Sequence, residues 1–225
     1  MDGRRVGKPF GLQIAKAYAK GFLFAAVLFI LIRATLVQAY HIPSGSMEDT
    51  LLAGDYVLGD KQTFGTQIPD RLPILNLKLP SFRMPGFRGP GPGDLVIAEF
   101  PDDPSRDFIK RCIAVEGQTV EVKNKVVYVD GEPFSDPPGV KYMDSQEQPR
   151  RYSARDNFGP YTVPPGHIFV MGDNRDNSYD SRFWGTVSLE KIKAHPLLIY
   201  FSRDTDAPFW NLFEKIRWRR LGPVN

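Results

Sequence analysis

From Phe22 to Ile32 every residue is apolar, and Ala34, Leu36, Val37 and Ala39 extend the run with Arg33, Thr35 and Gln38 interspersed. The 19 residues 21–39 suffice as a helix to cross a hydrocarbon core of ~30 Å. Arg4, Arg5, Lys8, Lys16 and Lys20 precede the run against a single acid, Asp2. This charge bias predicts a cytoplasmic basic segment over 1–20, a transmembrane signal-anchor over 21–39 and an extracytoplasmic domain over 40–225. A cleavable signal peptide would need a small-x-small site after the run, whereas Tyr40-His41-Ile42-Pro43 follows.

Beyond the anchor the period changes. Short apolar stretches alternate with Gly, Pro and Asp turns: 56–58, 95–100, 108–115, 119–122, 126–129, 167–171 and 197–201. This spacing predicts a mainly β domain of antiparallel sheets. Lys123-Asn124-Lys125 and Asp130-Gly131 mark hairpin turns, so an inserted lobe is expected over about 119–165. Residues 62–93, rich in Pro and Gly, and the polar stretch 134–165 read as irregular. Over 209–221, Phe209, Trp210, Leu212, Phe213, Ile216 and Trp218 alternate with Lys215, Arg217, Arg219 and Arg220. As a helix this tail would be basic and amphipathic, fitted either to a membrane surface or to capping the core.

Composition narrows the function. The hydrophobic share of 42% is that of a folded domain, and the net charge of +3, without an internal basic run, argues against nucleic acid as a partner. The single cysteine, Cys112, excludes an internal disulfide framework and a cysteine-rich metal cluster. Asp176, Ser178 and Asp180 have the spacing of a calcium loop, but Ser181 stands where the turn glycine belongs and Val187 where a bidentate Glu is needed. No metal and no cofactor are expected.

Three segments carry candidate chemistry. Ser44-Gly45-Ser46 follows the anchor directly, but a serine hydroxyl needs a base to act as a nucleophile. His41, His167 and His195 sit in no catalytic motif and read as structural or surface residues. Lys110 is the alternative base, because burial beside Phe108, Cys112 and Ala114 on one strand face would favour its neutral amine. A lysine on an edge strand, facing water, fits that segment equally well. The third segment, 172–185, crowds Asp, Asn, Ser and Arg after a strand and can hold neighbouring backbone rigid.

Together, Pro43-Ser44-Gly45-Ser46-Met47, the strand around Lys110-Arg111 and the 172–185 box resemble the motifs of type I signal peptidases, membrane-anchored Ser/Lys endopeptidases. The resemblance spans 42–61, 93–117 and 166–185 plus the anchor. It implies Ser46 as nucleophile and Lys110 as general base, with Ser178 orienting the amine. Ser44 and the Ser46 N–H would form the oxyanion hole. Asp173, Asp180, Arg182 and Arg111 would brace the loop, while Tyr40, Ile42, Met47, Leu51 and Ile109 would line the substrate pockets. It further implies cleavage of preproteins after a small-x-small site, at the cell membrane and near the secretion translocon, with the substrate bound as an added strand. A dedicated maturation peptidase with the same dyad would share these residues. One position departs from the family pattern: Asp49 stands where Ser-Met-x-Pro-Thr-Leu has proline.

Overall fold

The computed structural model describes residues 10–65, 83–204 and 215–224. Helix α1 (Phe10–Thr35) projects its apolar side chains outward, Phe22 and Phe24 among them. Its stretch Ile14–Thr35 is long and apolar enough to cross a membrane. The helix both starts and stops earlier than the run 21–39. Lys16 and Lys20 belong to it, while Val37–Ala39 leave it for strand β1 (Val37–His41), paired antiparallel with β2 (Asp55–Asp60) from Val37↔Asp60 to His41↔Tyr56. The β-branched Val37 and the aromatic Tyr40 suit the edge of a sheet.

The remaining strands are β3 (Leu95–Phe100), β4 (Asp103–Val115), β5 (Thr119–Lys123), β6 (Val126–Val129), β7 (Glu132–Pro133), β8 (Phe158–Thr162), β9 (His167–Met171), β10 (Val187–Ser188), β11 (Ile192–Ser202) and β12 (Gly222–Pro223). They form two antiparallel sheets. The larger runs β1-β2-β11-β3-β4-β9-β10, with β12 on β11; the smaller runs β7-β6-β5-β8. The protein is thus mainly β, with an apolar N-terminal helix. The β5–β6 hairpin turns through Asn124 and Lys125, both at positive φ (48° and 70°), as a two-residue hairpin of this hand requires. Strand β8 lies in the stretch that its polarity marked as irregular.

Three apolar clusters hold the layers together. Tyr40, Met47, Leu51, Val57, Ile97 and Ile109 pack beneath β1 and the loop that follows it. Phe64, Val96, Cys112, Val170 and Ile192 form the second cluster. Ile113, Ala114, Val120, Val127 and Phe169 join the main sheet to the smaller one. A register shift between Cys112 and Ala114 corrects the strict alternation expected along this strand. The bulge sends Ala114 to the lobe and leaves Cys112 in the second cluster.

The expected tail helix lies partly outside the described residues. Within them, a 3₁₀ turn (Trp218–Arg220) and β12 tie the tail to the domain. Arg217 donates to Ala53 O and Arg203 O, so this cation turns inward.

Candidate active site

β1 delivers the chain directly to the turn bearing Ser44 and Ser46. Ser46 Oγ lies 2.5 Å from Lys110 Nζ, and Ser44 Oγ lies 3.5 Å from Ser46 Oγ. The turn is held from three directions. Asn174 N–H donates to Ser46 O at 3.1 Å, and Asn174 Nδ2 donates to Gly45 O at 3.2 Å. Thr50 Oγ1 donates to Asp173 at 2.5 Å. From the tail, Arg220 donates to Asp49 O at 3.3 Å and to Thr50 O at 2.9 Å, and pairs with buried Asp55 at 2.7 Å.

Asp49 has φ 80°. A proline ring locks φ near −65°, so this turn excludes the residue the family pattern carries there. Aspartate is among the non-glycine residues that adopt the left-handed region most readily. Lys141 reaches the same turn, 3.2 Å from Glu48 and 3.4 Å from Asp49.

Lys110 lies on β4 opposite Val96 and is only 4% exposed. Among the described residues it forms no ion pair. Burial lowers its pKa from 10.5 to about 8; Asp180 and Asp173 pull it up and Arg182 pushes it down, and burial prevails. Its neighbour Arg111 points the other way and grips Asp173 with two hydrogen bonds, at 2.8 and 2.6 Å, while donating to Gly93 O at 2.7 Å.

The 172–185 loop closes the site. Arg182 holds Asp180 through two bonds of 2.8 Å, and Gly172 N–H donates to the same carboxylate at 3.1 Å. Burial opposes the charge on Asp180, but Arg182, Ser178 and Gly172 outweigh it and keep the carboxyl below its usual range. Ser178 Oγ is buried and faces Asp180 without a hydrogen bond of ordinary geometry. Gly172 permits the closure, because a Cβ there would collide with both Ser178 Oγ and Ser46 O.

Around this centre lies a cleft of about 790 Å³. Tyr40, Ile42, Met47 and Ile109 line it together with Ser44, Ser46, Lys110 and Ser178. Leu51 does not. It is completely buried in the cluster beneath, because the turn after Met47 directs it inward, and the pocket role expected of it is corrected to a core role. Of the histidines, His41 lines the cleft but packs on Tyr56 with ring centroids 4.8 Å apart. His167 and His195 bond to the carbonyls of Pro165 and Leu95.

Two contributors escaped the sequence reading. Asn174 was one polar residue among many in its loop, yet it supports the turn bearing Ser46. The lobe also reaches the site: Lys125 pairs with Asp176 at 2.7 Å, and Asp176 accepts from the backbone of Met143 and Asp144. Only the juxtaposition of Asp176 with Ser178 in the chain hinted at that link.

A family model described as signal peptidase, peptidase S26 matches residues 15–201. The chain belongs to this family. Among similar members, the signal peptidase I of Pseudomonas aeruginosa is 34% identical over 77% of this chain and 64% of its own length. That of Aquifex aeolicus is 33% identical over 80% of this chain and 81% of its own. A probable signal peptidase I-1 of Synechocystis is 33% identical over 95% and 90%. The chain therefore spans a little under two thirds of the Pseudomonas relative it matches. The peptidase S26 match takes in the apolar helix from residue 15 and both sides of the Ser46–Lys110 contact.

Proposed function

We propose that this protein is a membrane-anchored serine endopeptidase that removes N-terminal signal peptides from exported preproteins, cutting after a small-x-small site. The observation that carries this reading is the 2.5 Å contact between Ser46 Oγ and a buried Lys110 that forms no ion pair among the described residues. An exposed lysine is almost wholly ammonium at neutral pH and is no base; this one has lost much of that preference. Family membership and the apolar helix support the substrate class and the membrane location.

In the first step, neutral Lys110 takes the Ser46 proton as Oγ bonds to the carbonyl carbon of the scissile peptide. The carbonyl oxygen becomes an oxyanion, stabilised by the hydroxyl of Ser44 and the N–H of Ser46. Collapse breaks the C–N bond, the Lys110 ammonium protonates the departing amine, and an acyl-enzyme remains. Water then attacks the ester while Lys110 accepts its proton, and return of that proton to Ser46 releases the carboxylate product. Ser178 helps hold the amine in place, and Asp173, Asp180, Arg111 and Arg182 keep the loop that carries Ser178 rigid. Tyr40, Ile42, Met47 and Ile109 shape pockets for small side chains along a substrate bound as an extended strand.

The basic N-terminus stays cytoplasmic, the domain after β1 faces the outside, and the bilayer and the vicinity of the translocon are its setting. No cofactor, metal or nucleic acid takes part. The test is incubation of the purified full chain with a preprotein, beside Ser46→Ala. Cleavage after the small residue by the wild type alone is expected; cleavage by Ser46→Ala would remove Ser46 from the mechanism.

A further inference from the structure

Ser46 stands between two peptide units, and one residue holds both. Asn174, fully buried in the loop after β9, donates its backbone N–H to Ser46 O at 3.1 Å and its Nδ2 to Gly45 O at 3.2 Å. Gly45 O also accepts from Glu48 N–H at 3.1 Å, so this carbonyl has a donor for each lone pair. The peptide from Gly45 to Ser46 is planar and trans, and its C=O and N–H point in opposite directions. Fixing the carbonyl therefore fixes the Ser46 N–H. Gly45 itself restrains the rotation of this unit less than any other residue would. The hold comes from outside the turn.

Asn174 is kept in this orientation at a cost. Its Nδ2 lies 3.2 Å from both Gly45 O and Glu48 Oε2; both are acceptors, which fixes that end of the amide as the nitrogen. Among the described residues its buried Oδ1 then has no partner, which lowers stability. Glu48 is set in turn by Lys141, whose Nζ lies 3.2 Å from the same Oε2. The backbone of Lys141 is pinned to the loop on both sides of Asn174: its N–H donates to Asp173 O at 2.9 Å, and its carbonyl accepts from Arg175 N–H at 3.0 Å. The charge that orients the amide is thus held by a segment clamped to the amide's own loop.

We infer that Asn174 and Glu48 are positioning residues for transition-state stabilisation: by gripping the far end of the Gly45–Ser46 peptide they aim the Ser46 N–H at the oxyanion. The inference rests on the serine-peptidase reading and adds to it what keeps that N–H in place. Neither residue lines the cleft, so their effect passes through the turn rather than through contact with substrate. Full charge on the substrate carbonyl oxygen exists only at the tetrahedral stage. A donor aimed there in advance speeds the chemical step without tightening the binding of the substrate itself.

Two inhibitors built on the sequence before the cut separate this role from plain support of the fold. In a peptide aldehyde, Ser46 Oγ bonds to the carbonyl carbon, its proton passes to Lys110, and the C=O π pair becomes an oxyanion. The corresponding peptide alcohol occupies the same cleft without that charge. Full-length wild type, Asn174→Leu, Glu48→Leu and Glu48→Gln are compared on both, and on cleavage of a soluble peptide substrate. Asn174→Leu should lower kcat about 10²-fold at nearly unchanged KM, as loss of an oxyanion donor does. Its Ki for the aldehyde should rise by the same factor, while the Ki for the alcohol and the pH of half-maximal activity stay at the wild-type values. Glu48→Leu should show the same pattern at about tenfold, the effect of one hydrogen bond to a charged group. Glu48→Gln, whose amide oxygen can still accept from Asn174, should recover most of that loss. Should Asn174→Leu fail to fold, the two Glu48 variants decide the matter. Equal losses of aldehyde and alcohol affinity, or wild-type kcat in the leucine variants, overturn the inference and leave the peptidase reading intact. So does a shifted pH profile, which would mean that these residues act through Lys110. If the wild type neither cleaves the peptide nor binds the aldehyde, the peptidase reading falls and the inference with it.

Discussion

Lys110 and Arg111 are successive cations on β4, each 4% exposed, and the protein treats them in opposite ways. On one side of the strand Arg111 meets Asp173 in a two-pronged ion pair, with Gly93 O taking a further donor. On the other side Lys110, among the described residues, bonds to a serine hydroxyl alone, with Asp180 nearby but already committed to Arg182. A buried cation with a fitted carboxylate stays charged and holds structure; one whose carboxylates are engaged elsewhere drifts toward neutrality and becomes a base. The pairing of Asp180 with Arg182 thus matters to Lys110 as well, since a free carboxylate there would return its proton.

The strongest way to break this contrast is to remove either feature of Lys110. Lys110→Met and Lys110→Arg should each lower kcat by about 10³-fold or more, within the range attributed to a general base, as read by preprotein cleavage. Lys110→Met should also unfold at higher urea than the wild type at neutral pH. The folded-state pKa of about 8 lies below the ordinary 10.5, so burying the ammonium costs stability below pH 8. That cost, on the order of 3 kcal/mol, shrinks as pH rises from about 8 to 10.5. The gain from methionine should shrink over the same window, and a constant gain would mean that charge is not its source.

On the Arg111 side, Asp173→Asn should destabilise the fold by about 3–5 kcal/mol, because it leaves a buried guanidinium without its counter-charge. Chemical denaturation reads this directly, and a change under 1 kcal/mol, the range of an exposed pair, would show that Arg111 finds water or another acceptor. A gentler probe is pH. Cleavage by the wild type should rise along an acid limb with its midpoint near pH 8 as Lys110 loses its proton. A midpoint near 6.5 that disappears in His41→Gln would point to a histidine base instead. The smallest effect on folding is expected for Ser178→Ala, below about 1 kcal/mol because its Oγ makes no hydrogen bond of ordinary geometry, with a clearly larger proportional loss in cleavage rate. Full activity in that variant would remove Ser178 from the positioning of the amine.

The contrast was only half legible in the sequence. Strict alternation from Phe108 separates Lys110 from Arg111, and that separation holds up to the bulge after Cys112. Which face was dry could not be read there, because the answer depends on Ser46 and on a loop more than sixty residues downstream. Strands β3, β6 and β9 were visible as short, largely apolar runs between turn residues. β1 was not, because its Val37 and Ala39 continue the apolar run of the helix and nothing in composition marks the change of period. β8 was hidden by Gly159 and Pro160, and Leu51 was misassigned because a leucine near the nucleophile serves a core and a pocket equally well on paper. Asn174 and Arg220 reach carbonyls on the turn around Ser46, and carbonyls leave no trace in side-chain pattern.

The hold of Arg220 on the backbone at Asp49 and Thr50 spans 171 and 170 residues of sequence. Synthesis runs from the N-terminus, so the serine turn is made well before Asn174 and Arg220, the residues that hold it. In that interval the lysine strand also lacks the wall of Gly172 and Ser178. The turn thus takes its final shape only when a part of the chain made much later folds back onto one made much earlier.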